Sequence, residues 1–255
     1  MADDAGTPIV EMRGITKRFG GVTALENVDF DAYRGEVVAI VGDNGAGKST
    51  LIKILTGVYQ PTSGTIAMEG SEIRMDNHSD AIALGIDAVY QTLALADHLT
   101  PAANMFLGAE LTRSFLGFTF LDNGKMKKEA TRVLYERLGV QLKDANAATE
   151  SLSGGQRQAV AIARAVYHAD LKVLVMDEPT AALGPQETAR TLKLIKTLKE
   201  QGLAVILISH SLDDVFEVSD RIHVQRRGRC AGVVKTAETN NAEVLGLIVG
   251  AEVAA

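Results

Sequence analysis

The sequence predicts an α/β fold in which a helical subdomain is inserted between two blocks of strands. Three observations carry that reading. Apolar runs of strand length, among them Val37 to Val41, Val173 to Met176 and Ala204 to Ile208, recur with helical stretches between them, the order expected of a sheet covered by helices. From about residue 92 to 150 the strand signals fade, and alanine, leucine and methionine rise at helical spacing. Finally, Gly42-Asp43-Asn44-Gly45-Ala46-Gly47-Lys48-Ser49 fits the pattern G-x-x-x-x-G-K-[ST], with an apolar run before it and a helix-like run from Thr50 to Leu55 after it.

That loop is a nucleotide phosphate site by its chemistry. Gly42, Gly45 and Gly47 let the backbone wrap closely around phosphates, so that the N–H groups from Asn44 through Ala46 to Gly47 point at the anion. The helix that starts at Ser49 and Thr50 adds unpaired N–H groups and its positive dipole end. Lys48 is expected to reach the β- and γ-phosphates, and Ser49 to supply a hydroxyl to Mg²⁺.

Composition sets the bounds. With 255 residues the chain is long enough for a substantial core, and 46% hydrophobic with 23% charged residues is ordinary for a globular protein. A formal charge of −6 argues against nucleic acid as a main partner. The single cysteine, Cys230, cannot close an internal disulfide, which fits a reducing cytosol, and reads as a small side chain in or beside a strand. Met1 to Pro8 is acidic and lacks an apolar signal-peptide core, and no uncharged apolar stretch approaches a membrane span of roughly 18 residues. Any membrane role is therefore expected to come through a partner.

Taken in order, Ile9 to Ile15, Val22 to Tyr33 and Glu36 to Val41 read as strands, parted by Gly20-Gly21 and Arg34-Gly35. Phe19 lies between the first two; its ring either stacks on a nucleotide base or is a half-buried aromatic at a strand end. After the loop helix, Pro61 and Gly64 mark a turn, Thr65 to Met68 a short strand, Ser79 to Leu84 a short helix ended by Gly85, and Ile86 to Tyr90 a buried strand followed by Gln91. In the inserted stretch Pro101 suits a first helical turn, and Met126 to Leu134 keeps helical spacing. Phe115, Phe118 and Phe120 fall in one short run there, either filling a small core or forming an apolar surface for a partner protein.

Leu152-Ser153-Gly154-Gly155-Gln156 precedes a helix from Arg157 to Ala169; serine and two glycines at a helix start bind anions or serve only as a cap. The next strand ends in Asp177 and Glu178. In P-loop proteins an acid at that strand tip holds Mg²⁺, and a neighbouring carboxylate can act as general base on water. Pro185 to Glu200 is an amphipathic helix with Leu192, Ile195 and Leu198 inward and Lys193, Lys196 and Lys199 outward as a solvated face. His210 sits just past the strand Ala204 to Ser209, at the edge where ligands gather in parallel sheets. Ser211 caps a short helix to Val218, Ile222 to Arg226 and Cys230 to Lys235 form a hairpin, and Ala242 to Ile248 is a last helix.

With Leu152 to Gln156 the motifs together resemble the ATP-binding subunits of ABC transporters, over nearly all of residues 9–235. Gly42 to Ser49 matches Walker A, Gln91 the Q-loop glutamine, Ser153 to Gln156 the signature, Asp177 and Glu178 the Walker B aspartate and catalytic glutamate, and His210 the switch histidine. Phe19 falls where that family keeps its base-stacking aromatic. The resemblance implies one P-loop ATPase domain with a mixed-sheet core (residues 1–91 and 151–255), an antiparallel β subdomain and a helical signature subdomain at about 92–150. It implies ATP hydrolysis by Lys48, Gln91, Glu178 and His210, and Mg²⁺ held by Ser49, Gln91 and Asp177. Each ATP would lie between the Walker A loop of one chain and Ser153, Gly154, Gly155 and Gln156 of a second copy or paired ATPase.

The implied partners are membrane-spanning permease subunits and, indirectly, a periplasmic or extracellular sugar-binding protein, with the chain peripheral on the cytoplasmic face of the inner membrane. Phrases such as Leu55-Thr56-Gly57-Val58-Tyr59-Gln60-Pro61 look like importers of the ribose, xylose and fructose type. An amino-acid importer or lipid exporter is the nearest alternative, followed by a non-transport ATPase or an ATP-binding switch. One departure is Ala181-Ala182-Leu183-Gly184, where the family usually ends in aspartate; Gly184 supplies no carboxylate to contacts between the two sites.

Overall fold

The computed structural model describes residues 6–115, 117–168 and 170–250. The expectations for the first five residues and for a helix end at Ala169 lie outside the described residues.

The chain opens with β1 (Val10–Phe19) and β2 (Val22–Ala32), an antiparallel pair turned by Gly20-Gly21. β1 runs on past Ile15, where its expected end lay, through several register shifts. The five residues of β3 (Val37–Val41) are all buried, as a strand covered on both faces must be. The glycine loop leads into α1 (Lys48–Leu55), and β4 (Ser63–Met68) returns to pair with β1. β5 (Ser71–Ile73), too short to show a period, was not foreseen. α2 (His78–Ala83) starts at a reciprocal cap between Asn77 and Asp80, and β6 (Ile86–Val89) follows.

In the inserted stretch Thr100 caps α3 (Pro101–Met105), with proline at the first helical position. Further along, the inserted stretch differs from the helical expectation: β7 (Thr112–Phe115) and β8 (Phe118–Leu121) form a two-stranded hairpin. Phe115, Phe118 and Phe120 are exposed on it, so they do not fill a core. α4 (Asn123–Arg132) continues into a π-helical turn at Val133–Arg137. α5 (Gly154–His168) begins earlier than expected and takes the two signature glycines into its first turn. Then come β9 (Val173–Asp177), α6 (Pro185–Glu200), β10 (Ala204–Ile208), α7 (Leu212–Val218), β11 (Arg221–Arg226), β12 (Arg229–Lys235) and α8 (Asn241–Val249).

Two larger sheets organise these strands. One is antiparallel in the order β2-β1-β4-β5; the other is mixed, β12-β11-β3-β10-β9-β6, with only β12 antiparallel to its neighbour. One apolar core lies between the sheets around α1, and a second joins α3, α4, α5 and α6 to the far face of the mixed sheet. Leu192, Ile195 and Leu198 of α6 are buried as expected, while Lys196 and Lys199 are not simply solvated: they pair with Glu217 and Asp220 at 3.1 and 2.6 Å. Among the described residues no helix is long and apolar enough to cross a membrane.

Candidate nucleotide-binding site

Parallel order puts the carboxyl ends of β3, β10, β9 and β6 on one edge of the mixed sheet, and the sequence places its polar residues there. The phosphate loop joins β3 to α1. Gly42 has φ +147°, and a Cβ there would stand 2.0 Å from the backbone oxygen of Gln225. At Gly47, φ is +107° and a Cβ would meet Leu25 at 2.7 Å and the Ala24 carbonyl at 2.9 Å. These two positions admit only glycine. Gly47 also caps α1 without any side-chain hydrogen bond, leaving the helix's first N–H groups to an anion.

Lys48 is buried, and its Nζ donates to the carbonyls of Gly42 (2.6 Å) and Asp43 (3.0 Å). Burial lowers its pKa, while the carboxylates of Glu178, Asp177 and Asp43 pull it back up. Asp177 ends β9; burial raises its pKa against the opposing charges of Lys48, Lys53 and His210. Glu178 has φ +53°, an uncommon conformation for a residue with a side chain, fixed by its N–H donating to the Ile208 carbonyl at 2.9 Å. His210 follows β10: its N–H donates to Glu178 Oε2 at 3.4 Å, and its Nε2 lies 3.2 Å from Oε1. Burial raises the Glu178 pKa and His210 lowers it.

Together these groups line one cavity of about 330 Å³: the loop from Asn44 through Gly45, Ala46, Gly47, Lys48 and Ser49 to Thr50, with Gln91, Asp177, Glu178 and His210. A cationic loop thus faces a pair of carboxylates across a space open to solvent. A polyphosphate suits the loop, and a hard cation suits the carboxylates. Asp177 has no ion-pair partner among the described residues, so its charge is available to such a cation.

Two expected groups lie elsewhere. Phe19, at the end of β1, is 42% exposed, meets Tyr59 edge-on with centroids 5.3 Å apart, and carries Lys17 Nζ 5.0 Å from its ring; it does not line the cavity. Ser153 and Gln156 cap α5 reciprocally, Ser153 N–H donating to Oε1 (3.1 Å) and Gln156 N–H to the hydroxyl (3.4 Å). Gly154 and Gly155 lie against Leu183 and Glu187, where a Cβ on Gly154 would stand 2.6 Å from Leu183. Gly154 borders a neighbouring depression shared with Gln91 and Glu178.

The sequence reading missed Gln225. It is fully buried, its backbone oxygen dictates Gly42, and its side-chain oxygen meets His223 Nε2 at 2.9 Å. The available signal was polar His223 and Gln225 alternating with Ile222 and Val224 in one strand.

The comparisons with known proteins agree with this geometry. The family model for ABC transporters matches residues 25–181. The fructose import ATP-binding protein of Rhizobium meliloti is 45% identical, covering 97% of this chain and 96% of that protein. The xylose/arabinose import ATP-binding protein of Sulfolobus acidocaldarius is 44% identical over 92% of each. A ribose import ATP-binding protein of Burkholderia thailandensis is 45% identical, but the chain spans only 47% of its length. Among solved structures, the ADP conformation of an ATP-binding cassette of an ABC transporter superposes with a TM-score of 0.78 at 26% identity, covering 96% of each chain. A dimeric cassette in a post-hydrolysis state with ADP and phosphate gives 0.71 at 26%, covering 89% of this chain and 98% of that one. With relatives this similar along almost its whole length, and the phosphate loop and strand-end carboxylates in one cleft, the chain belongs to the ABC transporter family as one of its ATPases.

Proposed function

We propose that this ATPase powers import of a simple sugar through a membrane-spanning partner, working as a pair of chains on the cytoplasmic face of the membrane. The observation that carries the cargo class is the near-complete overlap with import proteins for fructose and for xylose and arabinose, at 45% and 44% identity. In this reading residues 1–91 and 151–255 form the nucleotide-binding core, and about 92–150 the helical subdomain that meets the partner.

The site residues then have defined work. Lys48 leaves the carbonyls of Gly42 and Asp43 and neutralises the β- and γ-phosphates, while the N–H groups from Asn44 to Thr50 hold the remaining oxygens. Ser49, Gln91 and Asp177 would hold Mg²⁺, which supplies charge stabilisation to the transferred phosphoryl group when bound. Glu178 takes the proton of a water whose oxygen attacks the γ-phosphorus; the bond to the bridging oxygen breaks and ADP leaves with that electron pair. His210, 3.2 Å from Glu178, holds the carboxylate toward the water. Burial favours proton uptake by Glu178, which suits a base.

Phe19 stacks on the adenine once its exposed ring face is engaged. Ser153, Gly154, Gly155 and Gln156 serve the nucleotide of the opposite chain, in a closed two-fold pair with two equivalent sites. A sugar-binding protein outside the membrane would deliver cargo to the partner.

The test is uptake of a panel of labelled monosaccharides by the source cells, parent against Lys48→Ala. Selective loss of one or two sugars is expected. Normal entry of every sugar, with amino-acid or lipid transport lost instead, overturns the cargo class while leaving the ATPase intact.

A further inference from the structure

The hairpin of β7 and β8 carries an aromatic face away from the body of the protein. Its stem is fixed, with Asp122 N–H donating to the Leu111 carbonyl at 2.8 Å and Leu111 packed on the helical core. Beyond the stem, every residue of both strands is exposed. Register pairs Phe115 with Phe118 and Arg113 with Phe120, so three rings and one guanidinium share a face, while Ser114 pairs with Thr119 on the other. Phe115 and Phe118 are 65% and 69% exposed. A two-stranded ribbon is at best marginally stable in water, so rings left open on one call for a covering surface.

Charge indicates which surface. From Thr112 to Lys128 the sequence has the cations Arg113, Lys125, Lys127 and Lys128 but one carboxylate, Asp122, in a chain that is net negative. Asp122 is engaged as the cap of α4, accepting from Lys125 N–H at 2.9 Å. All four cations are exposed, and none has a carboxylate within ion-pair distance among the described residues. Specific protein interfaces take roughly 20–30 residues a side, far more than this ribbon offers. Anionic headgroups above acyl chains ask only that rings enter and cations meet phosphates.

We propose that the β7–β8 hairpin is a membrane contact: its phenylalanine rings enter the interface of an anionic phospholipid layer, and Arg113, Lys125, Lys127 and Lys128 meet the phosphates. The contact is independent of the cargo and of the ATPase chemistry. It would hold this face of the protein against the bilayer beside any membrane-spanning partner.

The test is co-sedimentation of the full chain with vesicles of mixed phosphatidylglycerol and phosphatidylcholine, against phosphatidylcholine alone. The parent should bind the anionic vesicles and release as salt rises. Phe115→Ser/Phe118→Ser/Phe120→Ser should weaken binding at least about tenfold. Each of Lys125→Ser, Lys127→Ser and Lys128→Ser should weaken it about fivefold. ATP hydrolysis in solution and the melting temperature should stay at the parent value, since none of these side chains is buried. Absence of parent binding overturns the proposal, as does equal binding by the triple variant. So does a triple variant that keeps vesicle binding but no longer co-purifies with the membrane partner, which would make the hairpin a protein contact.

Discussion

Replacing Gly42 by alanine tests how the phosphate loop is built. The added Cβ would lie 2.0 Å from the Gln225 oxygen and 3.1 Å from its carbonyl carbon, where real Cβ contacts stay above 3.0 Å. Both partners are backbone, Gly42 at the end of β3 and Gln225 in β11, whose pairing brings Val41 beside Val224. No rotamer change relieves the clash, so the strands must part by about 1 Å, enough to weaken the last ladder hydrogen bond at a cost of about 1 kcal/mol. Holding alanine at φ +147° adds about 1–3 kcal/mol. The sum, about 2–4 kcal/mol, corresponds to a fall in melting temperature of about 5–15 °C for a chain of this size. Gly45 is the control: its φ is also positive, at +79°, but nothing lies within 4 Å of a Cβ, so Gly45→Ala should cost only about 1 kcal/mol. Thermal melts and titration with a fluorescent ATP analogue would compare the two. Equal melts and equal affinities for Gly42→Ala and Gly45→Ala would refute the steric account.

Glu178→Gln should retain nucleotide binding and slow hydrolysis by about 10²–10⁴-fold in single-turnover assays, since a general base contributes that much; an unchanged rate removes Glu178 from that role. The same variant carries a pH signature. Burial raises the Glu178 pKa above its ordinary 4.5, so the native state keeps a proton that the unfolded chain has lost, and stability declines as pH rises through the raised value. Glutamine escapes that decline, so its stability relative to the parent, read from melts, should grow as pH rises above 4.5; a constant difference would contradict it. Arg221, 21% exposed, ties β11 to Glu36 at 2.5 Å and to Asp31 of β2 at 2.7 Å. Arg221→Ala leaves Glu36 with only the Tyr33 N–H and Asp31 with only Arg13, at 3.6 Å, and, discounted for that exposure, should cost about 2–3 kcal/mol in urea unfolding. Gly184 caps α6 with extended backbone, no side-chain hydrogen bond and open space around a Cβ, so Gly184→Asp should raise the melting temperature by about 1–3 °C without changing nucleotide affinity.

The parts of the fold legible in the sequence were those whose local pattern and tertiary role coincide. Val37 to Val41 and Ala204 to Ile208 are continuous apolar runs because helices and a second sheet cover both faces of the mixed sheet. The phosphate loop was readable because its glycines answer local demands of φ and close approach. The β7–β8 hairpin was not readable: with every residue of both strands exposed, no face is selected for burial, and its period of two never stands out against the helical stretches around it. The start of α5 was hidden because Gly154 and Gly155 are poor helix formers, although the serine and glutamine three residues apart spelled a reciprocal cap. Gln225 escaped because its backbone, not its side chain, decides Gly42.

The same distinction bears on the chemistry. The phosphate cleft is lined by the loop after β3 and the first turn of α1, by Gln91 after β6, by the ends of β9 and β10 with the residues after them, and by Ala24 of β2, so in the proposed reading a single chain preorganises one face of a triphosphate. Ser153 to Gln156 stands on a different element, against Leu183 and Glu187, with Gly184 next in line. In the proposed pairing, the second face of the nucleotide comes from that element on another chain, and the Leu183–Gly184 turn lies between the two sites. Gly184 has open space around a Cβ and supplies no carboxylate, so in that pairing the turn offers neither the ion pair nor the hydrogen bond an aspartate would.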